Sequence, residues 1–288
     1  MGPPLVGDNA RAYDRFGSEA FPMTRVAIAG LGAIGRVLAR RLHDGIPGLT
    51  LACASVGNRA KAQAWLDDQS IACPLVELDA MPDHADLAVE CAPAAAIENI
   101  CRPMLEAGKA VMVLSAGALL ARPHLMELAR TKGGQIIVPT GALLGLDAVT
   151  AAAEGRIASV RMTTRKPPNG LAGAPHLVAN NISVEGLNAP KLVFSGNARE
   201  AAAGFPANAN VAAALSLAGI GPEQTTIEIW ADPSVDRNCH SIEVEADSAR
   251  FSLTIENVPS ENPKTGKITA LSVLAALRKL HAPLRVGT

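Results

Sequence analysis

The chain has 288 residues, 49% of them hydrophobic and only 3% aromatic, with a formal net charge of -1. That length and apolar fraction can fill one large core or two modest ones, and the near-neutral charge leaves no basic footprint for nucleic acid. No run approaches the roughly 18–20 apolar residues of a membrane helix. The five cysteines are odd in number and lack C-x-x-C pairing, so neither a disulfide framework nor a metal site is expected, and a reducing cytoplasm is the expected setting.

Residues 1–22 carry scattered charges and glycines, without the basic start and apolar run of a signal peptide, and read as a loose tail. Arg25 to Ala29 alternates short apolar residues as a buried strand does, Gly30, Gly32 and Gly35 form G-x-G-x-x-G, and Ile34 to Leu42 has helical spacing. Strand, glycine turn and helix in that order are a dinucleotide fingerprint. The first glycine permits a sharp turn, the second lets the backbone approach a pyrophosphate, and the third lets the helix pack on the strand. Ala33 and Ile34 open that helix, whose free N–H groups favour phosphate. Gly30, Gly32, Ala33, Ile34 and Gly35 are therefore candidate cofactor contacts.

Further along, Leu49–Ser55 reads as a strand, Arg59–Asp68 as a helix, and Ile71–Val76 as a short strand. Leu87–Cys91, Ala110–Leu114 and Gln135–Pro139 read as strands, separated by helices at Pro93–Ala107 and Pro123–Lys132. This alternation predicts an α/β fold with a Rossmann-type, doubly wound parallel sheet over residues 23–140. From about Thr140 the rhythm changes. Arg156–Arg165, Thr225–Trp230, Ser241–Ala246 and Arg250–Ile255 read as strands, the last three closely spaced as in an antiparallel sheet. They predict a second α/β domain with a mixed or antiparallel sheet over 141–261. The helical spacing of Thr269–Leu280 predicts that 262–288 pack back on the first domain.

NAD-preferring sites usually place an acid about 20 residues beyond the glycine turn, to accept hydrogen bonds from the ribose hydroxyls. Here Ser55 ends the second strand and Val56, Gly57, Asn58 and Arg59 follow, with no acid among them. Ser55, Asn58 and Arg59 can instead meet a 2′-phosphate, so NAD or NADP is expected. An ordinary solvated arginine in the first turn of a helix remains the alternative for Arg59.

Beyond the strand ends, where doubly wound folds place ligands, stand Cys91, Ala92 and Pro93, then Ser115, then Ala142 in Thr140–Gly145. Their small side chains leave room for a flat cofactor or, equally, for close helix packing. In Phe205–Gly219, Asn208 serves either as an N-cap or as an amide for the nicotinamide end of a cofactor. His240 opens a strand after a polar loop holding Asp232, Asp236 and Asn238, where a carboxylate or amide can orient its ring. It is either a structural histidine or a catalytic one that titrates near neutrality.

Together GLGAIG, ECAP, SAGAL, TGALLGLDA, TRKPP, FPANANVAAALSLAG, ADP, NCH and NPKTG resemble the L-aspartate dehydrogenase family, in order from about Thr24 to the C-terminus. The resemblance implies a Rossmann domain, a second domain that also mediates homodimerisation, and NAD(P)-dependent oxidative deamination of L-aspartate. The product would be iminosuccinate, which hydrolyses to oxaloacetate and ammonia or feeds quinolinate formation in NAD biosynthesis. It implies His240 as the catalytic residue and Ala142 and Asn208 as cofactor contacts. Asn208 and His240 would also face the substrate, whose two carboxylates require cationic or hydrogen-bonding partners; Arg165, Lys166, Lys264 and Thr265 are the candidates. Two departures stand out: Leu144 precedes Gly145 where family members often have a second glycine, and the second strand ends without an acid. The competing readings are a homoserine dehydrogenase or dihydrodipicolinate reductase relative, and a dinucleotide-binding sensor without turnover.

Overall fold

The computed structural model describes residues 23–206, 209–260 and 266–287. Two five-stranded sheets organise these residues, each with its own hydrophobic core.

The first sheet holds β1 (Thr24–Ala29), β2 (Leu49–Ser55), β3 (Leu87–Glu90), β4 (Ala110–Val113) and β5 (Gln135–Ile137), in the order β2-β1-β3-β4-β5. Every pairing is parallel. Strands buried on both faces read as nearly continuous apolar runs, and β1 shows the reason. Val26 and Ile28 pack into one core with α1 (Ala33–His43) and α2 (Arg59–Asp68), while Ala27 and Ala29 pack into the core on the other face. There α3 (Met81–His84), α4 (Ile97–Glu106) and α6 (Pro123–Lys132) cover the sheet, and the short α5 (Ala116–Leu119) follows β4. The expected strand over Ile71–Val76 does not form. Only Leu75 bridges to Ala54 of β2, so the segment runs along the sheet edge as a loop.

The second half holds α7 (Leu146–Ala153), β6 (Ile157–Lys166), α8 (Pro175–Ala179), β7 (Lys191–Asn197), α9 (Ala198–Gly204), α10 (Asn210–Ala218), β8 (Thr225–Ala231), β9 (Asn238–Ala246) and β10 (Arg250–Asn257). Its sheet has the order β10-β9-β6-β8-β7 and is mixed: β6 lies parallel to β8 and antiparallel to β9. β7 and α9 were not expected from the sequence. Strict alternation gives this sheet one apolar face, where Val160, Met162, Ile227, Ile229, Ile242 and Val244 pack against α7, α9 and α10. On the opposite face, Arg161, Thr226 and Glu243 are exposed and Trp230 is partly exposed.

The closing helix, α11 (Ile268–His281), returns to the first sheet, where Val273, Leu274 and Leu277 join the core of α1. Among the described residues no helix is long and apolar enough to cross a membrane. Truncating the fully buried Leu277 to alanine should cost about 2–5 kcal/mol of stability. Denaturant titration measures this, and an unchanged midpoint would show that α11 does not hold the first core together.

Candidate active site

The glycine turn is built as its spacing requires. Gly30 has φ of 104°, outside the range of ordinary L residues, and a Cβ there would lie 2.6 Å from the Cys91 carbonyl oxygen. A Cβ on Gly35 would lie 1.9 Å from the Gly30 oxygen, so α1 approaches the strand as closely as it does only with glycine at that position. Gly32 differs from both: a Cβ built on it meets nothing within 4 Å, because the backbone there faces open space. It is also the N-cap of α1, with neither a side-chain cap nor an acid in the first turn, so the positive helix end is available to an anion.

That opening is part of a cavity of 990 Å³ that takes in Gly30, Gly32, Ala33, Ser55, Asn58, Ala92 and Pro93. A second cavity of 310 Å³ shares Ala92 with it and holds Ile34, Cys91, Ser115, Ala142, Lys166 and His240. The two adjoin at Ala92, one reaching the N-terminus of α1 and the other the end of the second sheet. An elongated anionic dinucleotide fits this arrangement: the glycine turn offers a cradle clear of side chains, and small residues line the way onward.

Three expectations need correction or fall outside the description. Arg59 is not among the cavity residues. Its guanidinium pairs with Glu77 at 2.9 Å and donates to the Leu75 carbonyl, while Asn58 accepts from the Lys61 amide as the N-cap of α2. Arg165 alternates to the other face of β6 from Lys166, stacking 5.1 Å over Trp230 and pairing with Asp232 at 3.0 Å. Asn208, Lys264 and Thr265 lie outside the described residues, and the residue before α10 is Ala209.

Strand register brings together the groups that remain. β6 and β9 run antiparallel with Thr164 opposite His240, so their side chains share one face of the sheet. Thr164 Oγ1 lies 3.0 Å from His240 Nδ1. The hydroxyl therefore orients the ring, a task the sequence assigned to a carboxylate or amide of the preceding loop. Lys166 is two residues beyond Thr164 on the same face, in the row Val160, Met162, Thr164, Lys166. An apolar row thus ends in a lysine only 4% exposed, beside a histidine only 3% exposed.

Burial decides their charge states. Removal from water pushes the Lys166 ammonium down to about 8, and burial together with the neighbouring Lys166 charge pushes His240 down to about 3. The free site thus presents a neutral imidazole beside a lysine that is mostly charged at pH 7. Glu90, also at this cavity, accepts from the Ser115 amide at 2.8 Å, the Leu114 amide at 3.1 Å and the Ser115 hydroxyl at 3.1 Å, and burial raises its pKa. Asn210 Oδ1 accepts from the Gly117 amide at 3.1 Å and so ties α10 to α5 across the two halves.

The sequence reading passed over several of these residues. Thr164 is unremarkable until its partner 76 residues away is known. Arg36, Arg40, Lys61 and Trp65, which line the larger cavity, read as ordinary helix residues.

Histidine buried as a neutral ring gives stability that is fully present above its ordinary value of 6.5 and lost progressively as the pH falls toward 3, where the folded site would also take a proton. Thermal denaturation across that window should show stability falling with acid, and H240N should flatten the slope. Equal slopes in the two proteins would contradict a buried neutral ring.

Comparisons with known proteins identify the family. Residues 147–280 match the family model described as aspartate dehydrogenase, C-terminal, and residues 30–139 match that of the homoserine dehydrogenase NAD binding domain. The chain is 58% identical to L-aspartate dehydrogenase 3 of Bordetella bronchiseptica, over 91% of this chain and 97% of that one. It is also 58% identical to L-aspartate dehydrogenase of Bradyrhizobium diazoefficiens, over 92% and 94% respectively. A crystal structure of aspartate dehydrogenase from Thermotoga maritima matches with a TM-score of 0.70 at 24% identity, over 92% of this chain and 99% of that one, and shows the same fold. On identity and coverage together, the chain belongs to the L-aspartate dehydrogenase family.

Proposed function

We propose that this protein catalyses the NAD(P)-dependent oxidative deamination of L-aspartate to iminosuccinate, which water converts to oxaloacetate and ammonia, and that it also runs the reverse reaction. The observation that carries this reading is the cavity shared by His240 and Lys166, which adjoins the one at Gly32 through Ala92. Residues 23–140 would hold the cofactor, 141–261 would supply the substrate groups, and 262–288 would close the first core. Gly30, Gly32, Ala33 and Ser55 would hold the dinucleotide at one end, and Ala92, Pro93, Ser115 and Ala142 at the other. When bound, the dinucleotide supplies the hydride acceptor, or the donor in reverse.

The protein's part is to bind a small dicarboxylate and move one proton. A buried ammonium such as Lys166 has lost most of its hydration, so pairing with a substrate carboxylate offsets that cost. Loss of hydride from Cα requires a neutral amine, since an ammonium has no lone pair with which to form C=N. With Nδ1–H donating to Thr164 Oγ1, His240 Nε2 carries the lone pair that takes this proton. The ring has little proton affinity in the empty cavity, and the substrate's two negative charges raise it when they enter. Once it has released that proton to solvent, the same nitrogen can activate the water that attacks the imine.

We further infer a homodimer that meets through the open polar face of the second sheet, where Leu192 of β7 is 43% exposed and Trp230 lies partly exposed. Sedimentation equilibrium should return twice the chain mass, and a monomer at micromolar concentration would contradict it. Five free thiols support a cytoplasmic location, which cell fractionation tests.

The deciding experiment is oxidation of NADH or NADPH by purified protein with oxaloacetate and ammonia. Turnover should require both, and turnover without ammonia, or none at all, would refute the reading. H240N should lower kcat by about 100-fold to 10,000-fold with little change in dinucleotide affinity. Lys166→Met should instead weaken inhibition by succinate, a dicarboxylate with no amine to oxidise. Normal kcat in the first variant or normal inhibition in the second removes that residue from its role.

A further inference from the structure

The larger cavity does not end at the glycine turn. It runs past the end of β2 to a group of cations: Arg36 and Arg40, one turn apart on α1, and Lys61 in the first turn of α2. Resting on the dinucleotide reading above, we propose that Arg36, Arg40 and Lys61 form a 2′-phosphate site, so that the cofactor this chain takes is NADP(H) in preference to NAD(H).

Arg36 is held in place before any ligand arrives, with Nε donating to the Leu31 carbonyl at 3.1 Å and the guanidinium lying 5.1 Å from the Trp65 ring centroid. A planar guanidinium fixed in this way offers its outer N–H groups to a phosphate at little entropic cost. Among the described residues neither Arg36, Arg40 nor Lys61 is ion-paired, whereas many other arginines of the chain have a carboxylate partner. Three cations line one cavity, and a phosphate of charge about -1.5 to -2 is an anion they can share.

The opposite charge that a ribose diol would require is missing. β2 ends at Ser55 and no acid follows before α2. Glu77 is the one described carboxylate lining the cavity, and Arg59 neutralises it at 2.9 Å. Arg59 thereby exchanges the role of phosphate ligand for that of screening this carboxylate.

The test compares two probes that differ by the 2′-phosphate alone, 5′-AMP and adenosine 2′,5′-bisphosphate, titrated calorimetrically into the intact protein at low ionic strength. The bisphosphate should bind about tenfold tighter or more, the worth of at least one charge-assisted contact. The paired substitution Arg36→Gln with Lys61→Gln should erase the difference without weakening 5′-AMP; Lys61 is exposed and Arg36 partly so. Arg59→Gln should leave the ratio of affinities above one. Equal affinities in the unaltered protein, or a difference that survives the paired substitution and vanishes with Arg59→Gln, would overturn the assignment while leaving the dinucleotide reading in place. Failure of both probes to bind at millimolar concentration would overturn both.

Discussion

The antiparallel register of β6 against β9 is the constraint on which the site depends. It sets Thr164 opposite His240, brings Lys166 onto the same face, and leaves both nitrogen-bearing groups where the second sheet meets the end of the first. A slip of one residue would turn the whole inward row of β9 outward, exchanging His240, Ile242 and Val244 for Cys239, Ser241 and Glu243. The apolar members of that row therefore fix the position of its polar one. Ile242 and Val244 against Met162 and Val160 supply the burial that makes the register costly to change.

Holding a lysine and a histidine together in that place works against stability. Each side chain would carry charge in water, and each is driven toward neutrality where it lies. A dicarboxylate is the kind of ligand that reverses this, because its carboxylates favour the charged form of a buried lysine and raise the proton affinity of the imidazole. The glycine turn follows the same logic at the other end of the trough. An uncapped helix start and backbone bare of side chains are weak features alone and strong ones beside a phosphate.

Most of the fold was legible because burial leaves a pattern in sequence. The central strands of the first sheet, β1, β3 and β4, are covered on both faces and read as apolar runs, and β6, β8 and β9 alternate as one-sided strands do. Ile71–Val76 misled because a short apolar stretch lying along a sheet edge has the composition of a strand but bonds to β2 only around Ala54, through Pro74 and Val76. β7 was missed because, as an edge strand, it buries only Val193 and Phe194. Candidates were legible wherever one residue carries its own signal, the glycines by spacing and His240 by its place after a polar loop, whereas Lys166 was only one of four candidate partners for the substrate carboxylates. It was illegible wherever a role depends on a distant partner. Thr164 needs β9 to acquire meaning, and Arg59 loses its expected role to Glu77, 18 residues away. Arg36, Arg40 and Lys61 look like ordinary solvated helix residues until a cavity is found beside them.

The central claim is that the Cα of aspartate gives up hydride directly to a dinucleotide held between the glycine turn and His240. Incubating the protein with oxidised dinucleotide and L-aspartate deuterated at Cα tests it most directly, with mass spectrometry of the reduced dinucleotide as the readout. The account predicts one deuterium on the reduced nicotinamide for each oxaloacetate formed. Reduced dinucleotide carrying only solvent hydrogen, or oxaloacetate formed without dinucleotide reduction, would contradict it.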